Sequence, residues 1–93
     1  MSDSDILTIL KVDLQVSSTA LDSYLLQLIS AARALIVREG INLTDDIEDT
    51  MLIEMYAAYL YRKRRESNSA MPRMLRWALN NRLLSVREDN ADG

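Results

Sequence analysis

The side chains best able to do chemistry lie in two clusters. Asp45, Asp46, Glu48 and Asp49 crowd four carboxylates into five positions, and Arg62-Lys63-Arg64-Arg65 is an unbroken basic run. Massed carboxylates suit a hard cation, but a calcium loop spaces its ligands at alternate positions and needs a glycine at its turn. This segment has neither. A basic run suits phosphate, and Tyr56, Tyr59 and Tyr61 just before it could offer stacking surfaces for bases. Those rings precede the run rather than alternate with it, however. A tyrosine that buries its ring and wets its hydroxyl at the edge of a core is the simpler expectation.

The rest of the inventory removes most reaction classes. Histidine and cysteine are absent, which excludes imidazole and thiolate catalysis, disulfides and the usual zinc sites. Gly40 and Gly93 are the only glycines, so no phosphate-cradling loop can form. The serines lack a histidine partner, and Lys11 and Lys63 stand in no recognisable motif. The expectation is a protein that is not an enzyme and carries no cofactor and no metal. A helix–turn–helix reading fails on charge: the segment after the Gly40 turn opens Thr44-Asp45-Asp46-Ile47-Glu48-Asp49, which phosphates repel.

The elements that must carry these side chains are helical. In 93 residues there are two glycines and one proline, with 48% apolar residues, a composition for one helix-rich domain. No run approaches the length of a membrane span, and acids stand where a signal peptide needs bases. A cytoplasm-like compartment is expected. Ser2-x-x-Asp5 caps a short first helix that ends near Val12. Thr19-x-x-Asp22 reads as a second capping box, before a stripe of Tyr24, Leu25, Leu28, Ile29, Ala31, Ala32, Leu35 and Ile36. Gly40 supplies the left-handed residue that ends that helix.

A third helix starts at Thr44 or Asp45 and is apolar all round. Ile47, Met51, Met55 and Ala58 make the face read as principal; Ile53, Ala57 and Leu60 make the opposite one. Too few other elements exist to cover both faces, so self-association is expected, unless the first helix and the C-terminal piece wrap the far side. On that reading Met55→Asp or Ala58→Asp prevents folding, whereas Ile53→Asp or Leu60→Asp gives a folded chain that fails to assemble. After a polar hinge, Ser67-Asn68-Ser69, Pro72 opens a fourth helix. Leu75, Leu79, Leu83 and Val86 form one row of it, Arg73, Arg76 and Arg87 the row beside, and Trp77 lies across from the leucines. Helical domain 1–87 is followed by an acidic tail, 88–93, expected to be disordered.

Charge is laid out in blocks. Residues 1–54 carry −7, residues 55–87 carry +7 and the tail −3, and nine of the eleven bases are arginine. Either the basic block is a solvated face, or it docks on an acidic partner or on a neighbour's acidic half.

The order of these pieces resembles a known family. Ile6-Leu7-Thr8-Ile9-Leu10-Lys11-Val12-Asp13 is followed by Leu21-Asp22-Ser23-Tyr24-Leu25-Leu26-Gln27-Leu28-Ile29-Ser30-Ala31-Ala32-Arg33. Together they look like the opening of the small head–tail connector (adaptor, or head-completion) proteins of tailed bacteriophages. Tyr59-Leu60-Tyr61-Arg62 and the proline-led Met71-Pro72-Arg73-Met74-Leu75-Arg76-Trp77 resemble that family's later segments. Ser17-Ser18-Thr19, where the family often has paired acids, and the short 40–44 connection depart from it.

The short connection between two strongly periodic segments predicts an all-α fold built on an antiparallel pair of long helices over 19–39 and 45–65, with a short N-terminal helix and a C-terminal helical segment, and the resemblance agrees with it. The resemblance implies a structural role: a homo-oligomeric ring, twelvefold in the virion, that joins the portal protein to a stopper or tail-completion protein and extends the DNA channel. Non-specific contact with packaged DNA is possible on this reading and membrane contact is not expected; the site is the head–tail junction, after assembly in the host cytoplasm. Candidate interface residues are Leu26, Val37, Ile53, Ala57, Leu60, Arg62, Arg64, Arg65, Arg73, Arg76, Trp77 and Arg87. A small regulatory or partner-binding helical module with weak non-specific DNA contact is the other reading of the same residues.

Overall fold

The computed structural model describes residues 2–66 and 70–92, with side chains through residue 85. It contains four helices, α1 (Asp3–Leu14), α2 (Asp22–Arg38), α3 (Ile47–Arg65) and α4 (Arg73–Asp92), and no strand among the described residues. The proposed hinge Ser67-Asn68-Ser69 lies outside the described residues, as do the side chains of Val86, Arg87 and the acidic tail. The α4 backbone is helical through Asp92.

The first cap forms as its sequence dictates. Ser2 Oγ accepts the Asp5 N–H and the Asp5 carboxylate accepts the Ser2 N–H, both at 3.2 Å. The helix runs two residues past Val12 and closes on Gln15, which adopts the left-handed conformation at φ 59°.

The second expected box does not form. Helix α2 begins at Asp22, with Leu21 in the cap position and no side-chain cap. The Asp22 carboxylate is instead engaged by Lys11 Nζ at 2.8 Å, an ion pair that ties α2 to the end of α1. Thr19 accepts the Asp22 N–H through its backbone carbonyl. The α2 stripe holds in its centre, where Leu25, Ile29, Ala32 and Ile36 are fully buried, but Ala31, at the stripe's edge, is exposed.

Gly40 ends the α2 region at φ +104° and donates its N–H to the Val37 carbonyl. A methyl group at Gly40 would meet Leu83 Cδ1 at 3.4 Å, ordinary contact. The expected loss for Gly40→Ala is therefore backbone strain alone, about 1–2 kcal/mol, measurable by urea denaturation.

Helix α3 packs against all three other helices, which reverses the face assignment made from its sequence. Ile53 and Ala57 are buried in the core and Leu60 packs against it, so none of the three offers a free surface. Ile47 and Met51 are exposed and Met55 only partly buried; Ala58 alone of that set is interior. The cause is coverage: α1 and α4 wrap what a two-helix hairpin would leave bare. Apolarity is equal around α3 and could not say which side stays open. Leu75 and Leu79 of α4 complete the core.

Candidate functional site

Two features stand out: a set of ion pairs that binds the helices together, and an apolar face that nothing among the described residues covers.

The ion pairs consume much of the charge asymmetry. Arg33 holds Asp3 at 2.7 Å, Arg62 lies 3.7 Å from Asp13, and Arg76 bonds Glu39. The most buried pair joins α3 to α4. Arg82 Nε donates to Asp49 Oδ1 at 2.7 Å, and its Nη2 donates to Asp49 Oδ2 and to the Asn42 carbonyl. Asp49 also accepts the Thr44 N–H and hydroxyl, at 2.7 and 2.9 Å. Burial works to raise the Asp49 pKa, but the Arg82 and Thr44 hydrogen bonds outweigh it and hold the carboxyl below its usual range. One member of the acidic cluster is thus a structural bolt, while Asp45, Asp46 and Glu48 stay exposed.

The remaining bases lie on tyrosines. The Arg64 guanidinium sits 5.1 Å from the Tyr24 ring centre and Arg65 5.6 Å from Tyr61, whose hydroxyl accepts an Arg65 N–H at 2.9 Å. Lys63 lies over Tyr59. Tyr56 and Tyr61 are buried, as core-edge tyrosines should be.

Glu54 is the exception to every rule of burial. It faces the end of α1 at 3% exposure, and Oε1 has no hydrogen-bond partner. Burial, then the hydrogen bond and charge of Asp13, push its pKa up from 4.5 to about 8, against a smaller opposing pull from Arg62.

The apolar face lies between α3 and α4. Met51, Leu52, Met55, Trp77 and Ala78 line a groove of about 330 Å³, with Glu48, Asn81 and Arg82 at its polar edge. Ile47 and Met74 are exposed next to it along their helices. Of the residues proposed from sequence, Trp77 belongs to this face and Arg73 stands exposed at the start of α4. Leu26 and Val37 are exposed on α2, away from the groove's lining. Arg62, Arg64, Arg65 and Arg76 are engaged within the chain as described, and the Arg87 side chain is outside the described residues.

Sequence reasoning missed Met51 and Met74 as surface groups, Asp49 and Glu54 as buried ones and Arg82 as the half-buried partner of Asp49. A lone acid inside the apolar run from Met51 to Tyr61 was the available signal for Glu54. Among the described residues no group of histidine, cysteine or acidic side chains could hold a metal ion, and no helix is long and apolar enough to cross a membrane. No protein-family model, no curated protein and no solved structure matches this chain.

Proposed function

We propose that this chain is a structural, non-enzymatic subunit of a tailed-phage head–tail connector. On this reading α2 and α3 form the antiparallel pair of that fold. Copies close into a ring, twelvefold in the virion, between the portal protein and a stopper or tail-completion protein. The order of sequence pieces from residue 5 to 85 supports the reading. The single structural observation that carries it is the α3/α4 face: large apolar side chains stay exposed although the chain has a complete core of its own. Exposed apolar patches of this kind mark contact surfaces. Ion pairing within the chain leaves less charge for docking than the sequence blocks suggest, so apolar contact carries the interface and Arg73 tunes it.

Purified chain mixed with purified portal tests this. The expected result is co-sedimentation in a fixed ratio that persists at moderate salt; no association at any salt would sink the connector reading.

The exposed basic end of α3, with Lys63, Arg64 and Arg65 set over tyrosines, favours a second reading as a partner-binding module with non-specific DNA contact. DNA binding that steepens as salt falls and is lost in Arg64→Glu/Arg65→Glu, without portal binding, would select it.

A further inference from the structure

Helix α4 is apolar on two opposite sides. Leu75 and Leu79 are buried in the fold, whereas Met74, Trp77 and Leu84 are 73, 68 and 52% exposed. With exposed Asn81 the outward set runs 74, 77, 81, 84. These intervals of three, four and three are those of a seam that packs on another helix, with one polar member to fix register. Beside it α3 contributes Ile47 at 71% and Met51 at 42%. Five large apolar side chains left open on two packed helices are more than singly scattered surface apolars and mark a contact face.

We infer that this face is closed by a second copy of the chain, through the same face on both. Its layout fits itself. Glu48 lies at the groove edge with Asn81 and Arg82, while Arg73 lies at the other end of the seam. Neither Glu48 nor Arg73 has an ion-pair partner among the described residues. A twofold axis across the middle of α4 sets the Arg73 end of one copy over the Glu48 end of the other, twice. It also brings Met74 against the partner's α4 C-terminal half and delivers each Trp77 to the partner's Met51–Met55 groove. Methionine sulfur and flexible methylenes accommodate an indole there. The indole N–H and the Asn81 amide then face each other across the seam as donor and acceptor.

Ring closure needs two unlike contacts per subunit, whereas this pairing uses one face twice. The pair is therefore the form of the free chain; it occupies the face on which the connector reading rests, must open before that face can meet portal or a ring neighbour, and is tested without portal. Sedimentation velocity over a wide concentration range should give a species of twice the 10.6 kDa chain mass. Trp77→Glu should weaken it at least about 100-fold, as loss of a central tryptophan does, with helicity unchanged because the side chain is exposed in the single chain, and melting lowered only by the stabilisation that pairing supplied. Glu48→Arg and Arg73→Glu should each weaken the pair, and the two together should restore it.

A chain that is monomeric throughout overturns the inference, as does a dimer indifferent to Trp77→Glu or a charge swap without rescue. Larger oligomers lost with Trp77→Glu would place an unlike surface opposite this face and overturn it too. A monomer that still binds portal would refute the pairing alone; a dimer that does not bind portal would refute the connector reading alone.

Discussion

Ile53→Asp abolishes the cooperative unfolding transition of this chain. Ile53 is 1% exposed, on the side of α3 that packs into the core with Leu52, Ala57 and the α1 and α2 stripes. The substitution removes a branched apolar side chain, costing about 2–5 kcal/mol in a core, and buries a carboxylate with no cation placed to meet it. The second cost alone is several kcal/mol. A domain this size is stable by roughly 5–14 kcal/mol, so the sum takes most or all of it. Met51→Asp, two positions earlier and on the exposed face of the single chain, should keep helicity and a cooperative melt, its melting temperature falling only by what pairing through that face contributes. Circular dichroism on the two variants decides the matter. A native-like melt for Ile53→Asp would mean the inner and outer faces of α3 are misassigned here.

Glu54→Gln stabilises the protein, and increasingly so as pH rises. The Glu54 carboxyl holds its proton to about pH 8 in the folded chain and releases it near 4.5 when unfolded. Below 4.5 both states are protonated and the native fold incurs no penalty. Between 4.5 and 8 the unfolded state gives up its proton first, so wild-type stability falls with pH and then levels off. Each pKa unit is worth about 1.4 kcal/mol, which puts the full loss at order 3–5 kcal/mol. Glutamine keeps a polar group beside Asp13 and removes the charge, so the variant should lack this decline. Asp13→Asn should recover part of it by removing the neighbouring negative charge. Urea denaturation from pH 5 to 9 gives the comparison, and parallel curves for wild type and Glu54→Gln would show that Glu54 is not the group responsible.

The legible parts of this fold were those where pattern and local chemistry agree. The α2 stripe has a single apolar side, so its buried residues follow from spacing; Ser2 and Asp5 satisfy each other with no help from distant residues. Failures came where a distant partner decided the outcome. Thr19-x-x-Asp22 has the spacing of a box, but Lys11 takes the aspartate. Helix α3 has no apolar preference around its axis, and only the positions of α1 and α4 select its inner side. For the same reason Ile53, Ala57 and Leu60 are expected at an interface from sequence and Met51 on the buried face, the reverse of where they lie. Trp77 was legible as off the leucine row, though not what lay beside it.

The five ion pairs described above all join residues more than ten positions apart, and four of them join an acid of the first 54 residues to a base that follows it by 30 or more. The unfolded chain is therefore a block polyampholyte, an acidic segment tethered to a basic one. Its halves attract before any helix packs, which makes the denatured ensemble compact at low ionic strength. Added salt swells that ensemble within a screening length of about 10 Å at 0.1 M, while shielded pairs such as Asp49–Arg82 lose little. Moderate salt thus lengthens the road to the native state more than it weakens the destination: the denaturant m-value should rise with ionic strength, and chain collapse should slow.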